Sequence, residues 1–285
     1  MPVSTIIAPM DLRAQTLDWR LKREKIGFVP TMGALHAGHI SLIEAAQKKA
    51  DRVVVSIFVN PLQFGPKEDF GSYPRMLAAD IEKLEAAGVD ALFAPIAADM
   101  YPEGFQTTLT NNAINNILDG RSRPGHFDGV LTVVAKLFNL VQPDFAFFGK
   151  KDYQQLAVIK NMVRDLAFPI EIVGCPTARD PDGLAMSSRN LRLSPSERAL
   201  APEIYKGLRL IAESHAAGEK DHGKLIEIFK THLSKVKEFR LDYIEIRAQD
   251  RLAEFDKVVD RAAVALVAAH LGSVRLIDNL EFGAQ

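Results

Sequence analysis

The chain has 285 residues, 47% of them hydrophobic and 25% charged, an ordinary balance for a folded globular protein. Its 35 basic and 36 acidic residues leave a formal charge of −1, which argues against nucleic acid or an anionic membrane surface as the main partner. The single cysteine, Cys175, rules out an intramolecular disulfide and fits a reducing, cytoplasmic setting, while no apolar run reaches the ~18 residues of a membrane span and the N-terminus lacks the pattern of a signal peptide.

In chain order, the apolar run at 26–29 reads as a strand, and 38–50 as a helix with Ile40, Ile43 and Ala46 on one face. Residues 52–59 (RVVVSIFV) suit a buried parallel strand. A helix is expected over 75–87, stopped by Gly88, then a strand over 89–94 closed by Pro95. Next come a helix at 127–141, a strand at 144–148, a helix at 152–166 and a strand at 170–174. This alternation predicts an α/β domain over 1–185, a Rossmann-like doubly wound parallel sheet whose ligands gather beyond the carboxyl ends of its strands.

The pattern changes near residue 190. Ser194, Pro195 and Glu197 form a capping-box start to a helix. A second helix near 220–236 and strands at 242–247, 262–269 and 274–279 predict a smaller α+β domain over 186–285. Cys175 reads as a small buried apolar residue rather than a nucleophile.

The candidate functional residues cluster in five segments. His36-Ala37-Gly38-His39 follows the first strand and its Pro30/Gly33 break. A helix starting there aims backbone N–H groups and a positive dipole end at an anion, the two imidazoles share a face, and Gly38 admits a bulky phosphate. The competing reading is a surface pair or half of a metal site. A zinc site needs a third ligand, and His126, His215, His222, His232 and His270 form no cluster with the pair. Asn60-Pro61-Leu62-Gln63 ends the second strand; its amides can hold hydroxyls or a carboxylate, or simply build an Asn-Pro turn. Gly120–Val130 offers Arg123 and His126 to an anion, or is a solvated basic loop. Gly149-Lys150-Lys151-Asp152 opens a helix carrying Gln155; its lysines can reach phosphate, or the segment is an exposed charged turn. Asp182–Asn190 holds Ser187, Ser188 and Arg189, which can bind phosphate oxygens, or is a Ser-rich linker.

The His-x-Gly-His element resembles the nucleotide-binding motif of the nucleotidylyltransferase superfamily. Taken in order, PTMGAL with His-x-Gly-His, FVNPLQFG, RPGHFDGV, FGKKDYQQL and DGLAMSSRN resemble the pantothenate synthetase (pantoate–β-alanine ligase) family. The resemblance extends to the C-terminal Val274-Arg275-Leu276-Ile277-Asp278-Asn279. Ala37, Asp119 and Lys150 depart from the family pattern, each standing where Glu is common.

The resemblance implies an ATP-dependent ligation of pantoate to β-alanine through pantoyl adenylate, with release of pyrophosphate and AMP. It implies His36, His39, Lys151 and Arg189 as catalytic. It implies nucleotide contacts from Met32, Gly33, Ala34, Leu35, Ala37, Gly38, Gly149, Lys150, Asp152, Ala178, Met186, Ser187 and Ser188. Gln63, Gln155, Asn60, Arg123 and His126 are expected at pantoate and β-alanine. Mg²⁺ is expected on the phosphates, mostly water-coordinated, with Asp80 reaching it through water. A homodimer is implied, and the start of the smaller domain is expected to supply a lid and phosphate contacts. Two rivals remain at this point: transfer of a nucleotidyl group to a phosphate, and a nucleotide-binding regulator without catalysis. The Gln63/Gln155 pair argues against the first, since amides suit a hydroxy acid, and the basic set argues against the second.

Overall fold

The computed structural model describes residues 2–66 and 68–283. The chain divides into two compact units, Met1–Lys150 with Val158–Pro176 and Lys151–Ala157 with Thr177–Gln285.

The first unit is built on a six-stranded sheet. Its elements are β1 (Ser4–Ile6), α1 (Pro9–Leu21), β2 (Ile26–Thr31), α2 (Ala37–Gln47), β3 (Arg52–Ile57), α3 (Leu77–Ala86), β4 (Ala91–Phe93), α4 (Ala97–Met100), α5 (Leu118–Ser122), α6 (His126–Val141), β5 (Phe145–Gly149), α7 (Tyr153–Asp165) and β6 (Glu171–Cys175). The first turn of α7 groups with the second unit. Every strand pair is parallel and the order is β1-β4-β3-β2-β5-β6. Strand order therefore reverses at β2, which has β3 on one side and β5 on the other. In open α/β sheets that reversal opens a crevice beyond the strand ends. The sheet core is the apolar set the sequence marks, including Val29, Ile43, Val53, Val55, Leu92 and Phe147. Cys175 packs in this cluster as the sequence predicts, and burial pushes its thiol pKa up.

Four elements of the first unit escaped the sequence reading: β1, α1 and the short helices α4 and α5. β1 has three residues, two of them exposed, so it carries no apolar run. α1 leaves Met10, Leu17 and Leu21 exposed and buries Leu12, Thr16 and Trp19, which blurs its amphipathic pattern.

The second unit contains α8 (Pro195–Leu200), α9 (Glu203–Ala216), α10 (His222–Leu233) and the antiparallel sheet of β7 (Phe239–Ala248), β8 (Ala263–Leu271) and β9 (Val274–Phe282), in the order β7-β8-β9. The capping box forms as expected: Ser194 Oγ accepts from the Glu197 N–H at 3.3 Å, and Glu197 Oε2 accepts from the Ser194 N–H at 2.8 Å. The helix it opens is short, because Pro202, which cannot donate a backbone hydrogen bond, stands before α9. Ile204, Leu208 and Ile211 of α9 and Leu225 and Phe229 of α10 pack with Ala265, Val267, Ala269 and Leu271 of β8 in one core.

Residues 177–185, expected with the first domain, group with the second unit. They form a hairpin in which Met186 N–H donates to the Ala178 carbonyl at 2.9 Å and Asp180 N–H to the Leu184 carbonyl at 2.9 Å. Arg179 ties this hairpin to β9 through Asp278, with two bonds of 2.7 and 2.9 Å.

Candidate active site

In the first unit the residues expected at the nucleotide lie directly beyond β2, on the path into α2. His36 is the N-cap of α2, in extended conformation. Its Nδ1 accepts from the Gly38 N–H at 3.2 Å, and His39 Nδ1 accepts from the His36 N–H at 3.2 Å. The rings lie 4.1 Å apart between centroids. This is a reciprocal cap made of two imidazoles in place of the usual Ser and Glu. It has a chemical consequence. An Nδ1 that accepts carries no proton, so each ring is held as the Nε2–H tautomer, with its remaining donor directed away from the helix backbone. Two Nε2–H donors at a helix N-terminus suit an anion.

The turn before the cap is held by α3. Gly33 has φ +83°, and a Cβ there would lie 3.1 Å from Ile57 and 3.2 Å from Asp80, so any other residue would be strained and crowded. Ala34 also adopts a left-handed conformation, φ +50°. Asp80 is fully buried. Its carboxylate accepts from the Ala34 N–H at 2.8 Å and the Leu35 N–H at 2.7 Å. One turn further along α3, Lys83 donates to the Leu35 carbonyl at 2.7 Å. Asp80 is expected to reach Mg²⁺ through water; in the structure each of its oxygens accepts a backbone amide and the residue is buried from solvent, which argues against that role. Among the described residues no group of three or more His, Cys, Asp or Glu side chains could hold a metal ion.

Beyond β3, Gln63 ends a 3₁₀ turn, Pro61–Gln63. Asn60 gives its amide hydrogens to Gln63 Oε1 at 3.0 Å and the Gly129 carbonyl at 3.1 Å. Its oxygen accepts from the Tyr101 hydroxyl at 2.7 Å and the Leu62 N–H at 3.3 Å. Gln63 Nε2 meets Met32 Sδ at 3.2 Å, a weak acceptor that a substrate oxygen would outcompete.

Arg123 and His126 support the same turn. His126 Nδ1 donates to the Gln63 carbonyl at 2.8 Å, which leaves Nε2 to accept from Arg123 at 2.9 Å. Arg123 in turn grips both oxygens of Glu68 at 2.7 Å. Burial, reinforced by the Arg123 charge, pushes the His126 pKa down to about 4. Burial alone would raise the Glu68 carboxyl, but its bonds to Arg123 outweigh this and hold it below its ordinary value. Asn60, Arg123 and His126 were expected at the substrate. The structure commits their polar atoms to protein partners and makes them the frame of Gln63, because a buried polar group must find partners inside the fold.

In the second unit, Lys151 lies in the 3₁₀ turn Lys150–Asp152 that leads into α7. Its Nζ is 3.5 Å from Asp152 Oδ1, and Gln155 lies half-buried on the first turn of α7. Gly149, just before, has no protein atom within 4 Å of the place a Cβ would take. Ser187 caps the 3₁₀ turn Ser188–Arg192, its hydroxyl accepting from the Arg189 N–H at 3.3 Å. Ser188 is buried. Ala178 and Met186 pair across the hairpin that leads into this turn.

Glu68, Tyr101, Lys83 and the Asp278-Asn279 step went unread as supports. Only Lys83 left a signal in the sequence, a cation three residues after Asp80 on one helix face.

A parallel sheet reversing at β2, with an imidazole-capped helix directly beyond that strand, makes this an open α/β protein with an anion-suited crevice at its switch point. The family model for pantoate–β-alanine ligase matches residues 4–281. The pantothenate synthetase of Ectopseudomonas mendocina is 55% identical over 282 residues, 98% of each chain. The crystal structure of the pantothenate synthetase from Thermus thermophilus superposes with a TM-score of 0.92 at 48% identity, covering 98% of this chain and 99% of that one. A pantoate–β-alanine ligase from Francisella tularensis, complexed with beta-gamma ATP and beta-alanine, gives a TM-score of 0.80 at 38% identity over 98% and 97% of the two chains. The chain belongs to the pantoate–β-alanine ligase family.

Proposed function

We propose that the chain joins pantoate to β-alanine through a pantoyl adenylate, with the imidazole cap of α2 as its phosphate-binding centre. A free carboxylate does not acylate an amine at neutral pH, because oxide would have to leave. A carboxylate oxygen of pantoate attacks the α-phosphorus of ATP, the bond to the β-phosphate oxygen breaks, and pyrophosphate departs. The β-alanine amine then attacks the acyl carbon, the carbon–oxygen bond to AMP breaks, and the nitrogen gives up a proton. No enzyme nucleophile is needed.

The observation that carries this reading is the pair of Nε2–H tautomers enforced at His36 and His39. They supply fixed donors where negative charge gathers on the α-phosphate as it is attacked, the requirement for electrostatic stabilisation of a transition state. Lys151 neutralises the approach of carboxylate to phosphate, two anions that otherwise repel. Ser187, Ser188 and Arg189 hold the β- and γ-phosphates and the departing pyrophosphate. The backbone from Met32 to Leu35, with Gly38 and Gly149, lies along the nucleotide, and Asp152 faces its ribose or adenine edge. Gln63 and Gln155 bind the pantoate hydroxyls and carboxylate. Mg²⁺ would enter on the phosphates of ATP, mostly water-coordinated, and would offset their charge. The enzyme works in the cytoplasm as a homodimer. No helix among the described residues is long and apolar enough to cross a bilayer.

Pantoate-dependent ATP–pyrophosphate exchange without β-alanine tests the reading. Exchange is expected, followed by AMP and pantothenate once β-alanine is added. His39→Ala and Lys151→Ala should each lower exchange by roughly 10²–10³, the cost of losing a transition-state donor. Folded variants that exchange at the wild-type rate would overturn the roles. No exchange by the wild-type protein would overturn the adenylate.

A further inference from the structure

The Asp278-Asn279 step of β9 belongs to the family-like C-terminal segment but has no part in the chemistry above. Side chains alternate along a strand. Val274, Leu276, Leu280 and Phe282 of β9 pack in the core of the second unit, and Asn279 and Glu281 share the opposite face. Both reach the segment that carries Lys151. Asn279 Nδ2 donates to the Lys151 carbonyl at 2.8 Å, and Glu281 Oε1 accepts from the Tyr153 hydroxyl at 3.2 Å.

We propose that Asn279 is a positioning residue for Lys151, with β9 as the rigid mount that fixes where the lysine starts. A three-residue 3₁₀ turn has few backbone bonds of its own. A lysine on such a turn, with a long flexible stem, is aimed only as well as its backbone is held. Asn279 is itself anchored. Its N–H donates to Asp278 Oδ1 at 2.7 Å, and its carbonyl accepts from Arg179 at 3.2 Å. Arg179 grips both oxygens of Asp278, and its guanidinium lies 3.7 Å from the centroid of the Tyr205 ring. Tyr153, its hydroxyl pushed up by burial and by Glu281, stays a donor and secures the other end of the segment.

This inference rests on the proposed role of Lys151, and its test separates the two. Asn279→Ala removes the donor. Asn279→Asp keeps the shape but sets an acceptor against the Lys151 carbonyl, and carries the test if the alanine variant fails to fold. Pantoate-dependent exchange is measured for each, for Lys151→Ala, and for the doubles, with thermal melts alongside. The single Asn279 variants should lose about 10-fold in kcat, with little change in KM for ATP. In the Lys151→Ala background they should cost nothing further, because a residue acting only through Lys151 has nothing left to position. Full activity of the Asn279 variants beside a slow Lys151→Ala would overturn the inference alone. So would an undiminished 10-fold loss in the double variant, which marks a general structural role. Wild-type activity in Lys151→Ala would overturn the lysine's role and the inference together.

Discussion

Asp80→Asn is the sharpest test of how the imidazole cap is held. The carboxylate accepts two backbone N–H groups, from Ala34 and Leu35, at 2.8 and 2.7 Å, and the residue is fully buried. A hydrogen bond to a charged group contributes about 1.5–3 kcal/mol, and a neutral one about 1 kcal/mol. Asparagine keeps one acceptor and turns its NH₂ towards the second amide. One bond is then weakened, and one is lost with a buried N–H left unpaired. The sum is about 2–4 kcal/mol, below the ~5–15 kcal/mol that holds a domain folded. The protein should therefore fold, with a lower urea midpoint and an unchanged m-value. The loss falls on a turn already held in left-handed conformation at Gly33 and Ala34. Relaxation of that turn shifts His36, and a misplacement near 1 Å costs on the order of 10²-fold in turnover. ATP–pyrophosphate exchange reads this directly. A wild-type urea midpoint together with wild-type exchange would refute the clamp. Exchange restored by raising Mg²⁺ would also refute it, because Asp80 would then be serving the metal.

Two further perturbations probe the frame of Gln63. A Cβ at Gly129 would sit 2.3 Å from the Leu62 carbonyl oxygen and 2.4 Å from its carbon, so Gly129→Ala must displace the Pro61–Gln63 turn. It should cost about 1–3 kcal/mol by overpacking and raise KM for pantoate more than KM for ATP, as initial-rate kinetics would reveal. His126, held near pKa 4 in the folded chain against 6.5 ordinarily, stays neutral there while the unfolded chain takes up a proton. Between those values the unfolded state binds more protons, so this contribution is complete above pH 6.5 and is lost as pH falls to about 4. At 1.36 kcal/mol per unit the loss is on the order of 3 kcal/mol. Urea midpoints of His126→Gln should fall less steeply with acid than those of the wild type; parallel curves would refute the assignment.

The sheet was legible because its strands are dense apolar runs. Arg52–Ile57 buries four consecutive residues, and such a run reads as a strand covered on both faces. β1 was illegible for the opposite reason: three residues pairing with β4 at the sheet edge leave no pattern to detect. The domain limit shifted because nothing local marks it. Residues 177–185 look like any polar turn, and their place in the second unit is set by partners outside the segment: Arg179 pairs with Asp278, 99 residues away, Arg198 pairs with Asp180 and Asp182, and Leu184 packs in the second unit's core. Sequence patterns of period 2 or 3.6 report which face is buried. They do not report a single long-range ion pair.

The same limit explains the candidate site. His36, His39 and Gln63 stand out in the sequence because their chemistry and their place after a strand point to an anion or a hydroxy acid. Asn60, Arg123 and His126 carry equally suggestive chemistry, yet their partners lie inside the fold: Tyr101 and Gly129 for the amide, Glu68 for the guanidinium, the Gln63 carbonyl for the imidazole. A side chain able to bind a carboxylate can equally bind a buried carbonyl or Glu, and residue type alone does not separate the two. What separates them is whether the polar atoms are already satisfied. Gln63 keeps an amide against a thioether, a weak acceptor, and that mismatch supports its proposed place at the pantoate. Asp80 is the converse case, a fully buried carboxylate whose two oxygens each meet a backbone amide.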